Sequence, residues 1–586
     1  MLIYLITVPC SLLNCPKITL SENQNMSILI ANIGTSDLAV KIEDYYFPIK
    51  FDRNEPNIKL PPGNSNEAAL WSQREAFIEE FLCEELKLNN NASFRDLTHK
   101  ILENYQQNPD YWHSRLRPGR IWGIIKTAQE KFHVKHVYYF VTDQPPSEVY
   151  GYPTDTVNLA KILNIWLQRE ILDLQITPII IPQHIKPVEQ DTLFNYYYEQ
   201  LHKISQGQDK ILISLKGGTP QMQTALRIQV MALSVDFQAY LEPELDITKV
   251  LAGEPSPCKL NAYWLYIRGQ KYQAVNQILQ RWDFDGSIQL MRSFEGYLQS
   301  LVQENVLEAS AINDSLIQQV ITALNVAVDC LNLDNVKASQ DLKRIENKYL
   351  RQSSNLHKLV CDDNYNKLLN IYTQCRIYWQ LNQIAHFLSR LASFCEESLH
   401  DIIRSLGGVK YFDQTGYRDN WYVDKKQVER QLWQFFEKAE GRKCNNELPY
   451  LLQGRFSKRN FIDALINFRS NLIEKTAWQK ITESLDRLDY WIDKRNQIIH
   501  SSQGVSLESM EKILEKDRKC KNYKIKYANQ ACLPTEILTE ITNISQQTAR
   551  IFNKTVSHYV GLNSPYYIYS DVRDWVITQL TQHGLQ

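Results

Sequence analysis

From Met26 to about residue 250, short apolar runs alternate with amphipathic stretches of helical length, and beyond residue 257 runs of strand type nearly vanish. This alternation is the strongest constraint on the fold. Two parallel strands can be joined only by a crossover, and a crossover helix buries its apolar stripe on the sheet it spans. The pattern predicts strands at Ser27–Ile33, Lys135–Val141, Ile176–Ile181, Lys210–Leu215 and Phe237–Leu241. Between them it predicts helices at Glu67–Leu86, Ile121–Phe132, Thr156–Leu172, Thr192–Ser205 and Gln221–Leu233. The outcome is a doubly wound, Rossmann-like α/β domain over residues 26–253. Glu254-Pro255-Ser256-Pro257 reads as a linker. After it, Tyr272–Gln280, Ser315–Leu331 and Tyr365–Phe394 repeat apolar residues every three or four positions, and Leu406-Gly407-Gly408 interrupts the pattern. An all-α connector over 254–400 and an all-α C-terminal domain over 401–586 are expected.

At 586 residues the chain exceeds a single core, in line with several domains. Lys and Arg total 65 against 66 Asp and Glu, a net charge of -1, so no global basic field draws the chain to nucleic acid and any RNA contact must be local. The densest basic stretch is Lys512–Lys526, which also reads as a solvated helix face. No apolar run of about 18 residues could span a bilayer, and the eleven cysteines include no C-x-x-C pair. A soluble protein of the reducing cytoplasm, without a membrane partner, is expected. Leu2–Leu13 resembles the apolar part of a signal peptide, and Leu12-Leu13-Asn14-Cys15 faintly a lipoprotein signal. A basic start and a small-x-small cleavage site are missing, so residues 1–25 are read as an extension ahead of a domain that begins at Met26. His133-Val134-Lys135-His136 has no companions of metal-ligand spacing and reads as surface histidines.

In an open parallel sheet, ligands sit where loops leave the carboxyl ends of strands. Two loops here suit that place. Asn32-Ile33-Gly34-Thr35-Ser36-Asp37 offers an amide, a glycine for close backbone approach, two hydroxyls and an acid. Lys216-Gly217-Gly218-Thr219-Pro220 offers a cation, two glycines, an N-cap hydroxyl and a proline for the first helical position. The helix starting there aims its positive dipole end at the loop, so an anion is the natural guest. Tight turn chemistry alone accounts for the same residue types. Neither loop has the G-x-G-x-x-G spacing of a dinucleotide site or the G-x-x-x-x-G-K-[ST] of a nucleoside triphosphatase, which argues against hydride transfer and ATP hydrolysis.

Arg-x4–6-His occurs twice, at Arg351…His357 and Arg495…His500, about as often as chance supplies it. Context favours the second. Leu488, Ile492, Arg495 and Ile499 share one helical stripe, with Asn496 beside it, so an apolar face turns polar just before Ser501-Ser502-Gln503-Gly504 ends the helix. Asn496 lies one turn before His500 and can orient its imidazole. The plain alternative is an intrahelical ion pair at Arg495 and an ordinary helix-end histidine.

Ile28–Asp37 and Ile211–Met222 resemble the first-strand and Gly-Gly-Thr-Pro elements of the CARF domain, the CRISPR-associated Rossmann fold that senses cyclic oligoadenylates. Arg495-Asn496-x-x-x-His500 resembles the active-site motif of HEPN ribonucleases. Together they make the chain similar to the CARF-HEPN ancillary ribonucleases of type III CRISPR systems, of the Csm/Csx type, across most of its length. Asn563-Ser564-Pro565-Tyr566 is similar to an Asn-Pro-Tyr-like turn near the end of such proteins, interrupted by Ser564. The resemblance implies a CARF domain over 26–253, a HEPN domain over 401–586 and a homodimer with a composite catalytic site. It implies as activator a cyclic oligoadenylate made by a type III CRISPR effector complex. Asn32, Gly34, Thr35, Ser36, Asp37, Lys216, Gly217, Gly218 and Thr219 would bind that ligand, and Arg495, Asn496 and His500 would act on single-stranded RNA.

The chemistry follows from residue types. RNA brings its own nucleophile, the 2′-hydroxyl, so the protein needs only to align it and to stabilise charge on the phosphate. Arg495 stays protonated and can contact those oxygens through several donors, while His500 can exchange a proton near neutral pH. The products would be 2′,3′-cyclic phosphate and 5′-hydroxyl ends, with no metal or cofactor expected. Two other functions compete: a ligand-responsive binding protein with a non-catalytic helical domain, and a CARF-linked DNase, which would need an acidic metal-binding group that the sequence does not display.

Overall fold

A computed structural model describes residues 27–51, 58–89, 91–233, 235–345, 364–412, 421–444, 449–469, 472–500, 505–520, 528–552 and 557–584. They fall into two compact units, one within Met1–Ile267 and Glu295–Ile312, the other within Arg268–Phe294 and Asn313–Gln586.

Apart from a two-residue pair, Ile58–Lys59 with Leu245–Asp246, the described strands of the first unit, in chain order, are β1 Ser27–Asn32, β2 Leu38–Ile42, β3 Tyr45–Pro48, β4 Leu116–Pro118, β5 His136–Thr142, β6 Gln175–Ile181, β7 Lys210–Ser214, β8 Phe237–Pro243 and β9 Cys258–Asn261. Six of them form one sheet in the order β9-β8-β7-β1-β5-β6. All neighbours are parallel except β9, which runs antiparallel to β8. Numbered within that sheet alone, the order is 6-5-4-1-2-3, the doubly wound arrangement whose direction of winding reverses beside β1.

Every residue of β1 is buried because helices cover both faces. Leu29 and Ala31 join one core with the helices Phe94–Gln107, Arg120–Phe132 and Val157–Glu170. Ile28 and Ile30 join the opposite core with Gln190–Ser205 and Pro220–Met231. Each such aliphatic side chain contributes about 1.5–3 kcal/mol on burial, so the period-two division of β1 fixes which face each crossover must take. All five predicted strands and all five predicted helices are present, within a few residues at each end.

Three features went unread. A small antiparallel sheet, β3-β2-β4, and the amphipathic helix Phe94–Gln107 are inserted between β1 and its crossover helix. Strands of three to five residues carry too little periodicity to register. The edge strand β9 lies beyond the Pro-containing stretch, and the first unit continues past it.

Among its described residues the second unit is helical apart from a two-residue ladder between Tyr422–Val423 and Tyr450–Leu451 and a single bridge from Phe412 to Val423. Ile384–Ser405 shows why: Ile384, Phe387, Leu388, Leu391, Phe394, Cys395 and Leu399 recur every three or four residues and all are buried. It packs against Asn364–Gln380, whose Arg376 is also buried. The Arg376 guanidinium donates to the carbonyls of Leu562 (2.8 Å), Ser564 (2.9 Å) and Pro565 (3.3 Å) and lies over the Tyr566 ring. The segment Leu562–Pro565 thus supplies the acceptors that a buried cation requires. Among the described residues, no helix is long and apolar enough to cross a membrane.

Candidate functional site

At the carboxyl ends of β1, β5, β6 and β7 lies a cavity of about 380 Å³. Both loops singled out in the sequence reach it, through Gly34 and Thr35 from one and Gly218 and Thr219 from the other. The position is the switch point of the sheet, where loops on either side of β1 turn to opposite faces and leave a crevice.

The two loops pack backbone on backbone. A Cβ on Gly34 would sit 3.2 Å from Gly217 Cα and 3.2 Å from the Gly218 nitrogen, and one on Gly217 would meet the Asn32 carbonyl at 2.4 Å. Gly217 and Gly218 also have φ of +95° and +68°, which side chains disfavour. Asp37 locks the junction from behind. Its carboxylate is fully buried, accepts from the Gly34 N–H at 2.7 Å and pairs with Arg120 at 2.7 Å. It also accepts from the Ile121 N–H at 3.0 Å, one of the open donors in the first turn of Arg120–Phe132.

The remaining sequence-predicted residues serve that junction or stand behind it. Asn32 is buried and accepts from the Tyr197 hydroxyl at 2.7 Å. The Ser36 carbonyl lies against Gly119, where a Cβ would approach it to 2.2 Å. Asn32, Ser36, Asp37, Lys216 and Gly217 are absent from the cavity lining, and Lys216 is half-buried. Thr219 caps the helix Pro220–Met231, accepting from the Met222 N–H at 3.2 Å, and its hydroxyl donates to the Pro187 carbonyl.

The other walls were missed. Thr142, at the end of β5, and Thr156, ahead of the helix Val157–Glu170, are mutually bonded: each backbone N–H donates to the other's hydroxyl, at 3.0 and 3.1 Å. Two helix starts, at Thr156 and Thr219, therefore border the cavity and favour negative charge in it. Asp155 is buried and held by Arg95 at 2.8 Å and by the Gln144 N–H at 2.5 Å; burial nonetheless pushes its carboxyl above the ordinary range. At the rim, Lys186 pairs with Glu148 at 3.0 Å. The cation among the lining residues is thus Lys186 rather than Lys216. The sequence signal was available, since Thr142–Gln144 and Lys186-Pro187 follow strands at the same sheet edge.

The second motif lies on the helix Leu472–His500, and the expected stop at 501–504 lies outside the described residues. Leu488, Trp491 and Ile492 are buried, and the Trp491 indole donates to the Cys532 carbonyl at 3.0 Å. Asp517 receives the Tyr490 hydroxyl at 2.9 Å and Lys494 at 2.6 Å. Along the stripe, Leu488 and Ile492 are buried and Arg495 is half-buried, with Ile498 buried beyond it. The side chains of Asn496 and His500 lie outside the described residues, as do Arg351…His357 and Lys521–Lys526 of the basic stretch. Lys512 pairs with Glu508 one turn away at 2.6 Å, as on a solvated face.

His133 caps a helix in the left-handed conformation, and His136 bonds Thr177 at 2.9 Å and stacks on Tyr138. Among the described residues no group of three or more His, Cys, Asp or Glu is gathered to hold a metal ion.

No family model matches the chain, and no curated protein matches it. Among solved structures the chain is similar to Enterococcus italicus Csm6 bound to cyclic hexa-2′-fluoro-hexa-dAMP, at 12% identity over 94% of this chain and 100% of that one, with a TM-score of 0.47. The α/β assignment of the first unit rests on its own strand order.

Proposed function

We propose that the chain is a CARF-HEPN endoribonuclease activated by a cyclic oligoadenylate in CRISPR antiviral defence. The observation that carries this reading is the meeting of the Gly34-Thr35 and Gly218-Thr219 loops around one cavity at the switch point of a doubly wound sheet. In the same chain, an Arg-Asn-x-x-x-His motif lies on the long helix Leu472–His500 of the helical unit. Two helix starts and Lys186 suit a phosphate-bearing ligand. The cavity lies near the lower end of the roughly 300–1,000 Å³ that small ligands occupy, so it takes about one nucleotide, and a ring of several would continue into a second copy of the chain.

In the helical unit, Arg495 would stabilise charge on the scissile phosphate, His500 would exchange the proton of the 2′-oxygen or 5′-oxygen, and Asn496 would orient His500. The homodimer, the single-stranded RNA substrate, supply of the activator by a type III effector complex and a cytoplasmic setting belong to the same proposal.

The test uses purified protein, cyclic tetra- or hexa-adenylate and a fluorescent single-stranded RNA. Cleavage should require the ligand, persist in excess EDTA and leave 5′-hydroxyl ends. Ligand binding without cleavage would favour a regulatory binding protein, and cleavage restored only by added divalent metal would overturn the mechanism.

A further inference from the structure

Gln144 lines the cavity with a polar head that is fixed in place and only partly used. Its side chain is buried, and its backbone N–H is held by Asp155, itself anchored to Arg95. Its amide nitrogen donates to the Ile185 carbonyl at 3.3 Å. A carbonyl can only accept, so this contact sets the sense of the amide: nitrogen toward Ile185, oxygen away from it. Among the described residues that oxygen has no hydrogen-bond partner, and it is not sealed from the cavity. Gly151, also in the lining, packs closely on the Gln144 side chain, since a Cβ there would stand 3.2 Å from Gln144 Cγ.

A fixed acceptor facing a cavity discriminates by donor. We propose that Gln144 is a specificity-determining residue, whose Oε1 accepts a hydrogen bond from the exocyclic amino group of a 6-aminopurine and thereby excludes a 6-oxopurine. This rests on reading the cavity as a nucleotide site. A 6-oxo group would set acceptor against acceptor in a site that water cannot readily repair, leaving both unpaired. Because the amide is already held on its nitrogen side, turning it to offer a donor would sacrifice the Ile185 bond and bring two oxygens together.

The experiment is calorimetric titration of the full chain with cyclic hexa-adenylate, its purine counterpart lacking the 6-substituent, and its inosine counterpart. The wild type should bind them in the order 6-amino, unsubstituted, 6-oxo, with the first at least about tenfold tighter than the last, as one neutral hydrogen bond gained against one clash implies. Gln144→Met, close in volume and without an acceptor, should bind the amino and oxo rings within about twofold of each other. Retention of the full preference by Gln144→Met overturns the assignment. So does wild-type binding in which the oxo ring equals or exceeds the unsubstituted one, while the nucleotide reading of the cavity survives. Absence of binding by any ring removes both. The three-ligand series on the wild type decides the matter even where the variant fails to fold.

Discussion

The loop edge of the first unit and the helix end of the second carry their marker residues in opposite ways. At the loop edge, Asp37 and Gly217 are consumed by the fold: the acid spends its oxygens on Gly34, Arg120 and Ile121, and the glycine exists so that two backbones can touch. At the helix end Leu488 and Ile492 are buried, Arg495 is half-buried, and Ile498 beyond it is buried again, so Arg495 is a polar residue set into a packed face. A residue of the first kind is recognisable because the fold needs it, whereas one of the second kind is set apart by the chemistry proposed for it. The two therefore respond differently to substitution.

The largest effect is expected at the helix end, and on activity alone. His500→Ala should lower RNA cleavage by about 10²–10⁴-fold, the range for a lost acid–base group, with an unfolding midpoint close to wild type. Arg351→Ala should cut normally. A dead Arg351 variant beside an active Arg495→Ala variant would place the catalytic motif at the other match.

Asp37→Ala inverts that profile. Removing the carboxylate strands the buried Arg120 guanidinium and opens the Gly34 and Ile121 N–H groups, at a cost of about 3–5 kcal/mol, a large share of a typical domain stability of about 5–15 kcal/mol. Urea unfolding followed by circular dichroism measures it. Combining it with Arg120→Met should cost clearly less than the sum of the two singles, because no charge is then left unpaired. Full additivity would mean that the pair contributes little.

Selected carboxyls of the two units also differ in their response to acid. In the second, Glu396 is held near a pKa of about 2 by His400 and Lys458. Burial acts to raise Glu397, but His400, Arg404 and Lys367 outweigh it and hold it at about 2. Both are depressed from 4.5, so the stability they contribute is complete above about pH 4.5 and lost as pH falls toward 2. In the first unit, burial raises Asp155, which has the opposite sign: its contribution is fullest at low pH and declines as pH rises through its folded pKa. Lys458→Met should therefore flatten part of the acid limb of a melting-temperature profile between pH 5 and 2.5 (on the order of these pKa values), while Asp155→Asn should leave that limb in place. An unchanged limb in Lys458→Met would remove the Glu396 cluster as its origin.

How much of this was legible follows the same division. Strands such as Ile28–Ile30, split between two cores, and helices with regular apolar spacing announce themselves, because burial on both faces forces continuous apolar runs. The loops were found through Gly34, Gly217 and Gly218, whose backbone needs are written in residue type. The opposite wall was not, because Thr142, Gln144 and Asp155 are ordinary polar residues whose role exists only once β5 lies beside β1. Asp37 reads as a ligand group because sequence distinguishes a charge from its absence but not which way it faces: the carboxylate turns inward to Arg120, a partner 83 residues away.

The smallest expected effect sits where the two kinds of residue overlap. Thr219 belongs to the cavity lining and also to the fold, since its hydroxyl accepts from the Met222 N–H and donates to the Pro187 carbonyl. Thr219→Ala removes a helix cap worth about 1 kcal/mol and also a tie between the loop after β7 and the loop that carries Lys186. Thr219→Ser keeps both bonds and should restore stability. If the hydroxyl serves only the cap, ligand affinity in the alanine variant should stay within about twofold of wild type, less than the ~1 kcal/mol of one neutral hydrogen bond. If the tie positions Lys186, affinity should fall further and serine should recover it, whereas Lys216→Ala, at a residue outside the cavity lining, should weaken binding less than Lys186→Ala. Titration of the four variants with cyclic hexa-adenylate ranks them, and a larger loss at Lys216 than at Lys186 would mean that the ligand sits across the Gly217-Gly218 turn rather than in the cavity beside it.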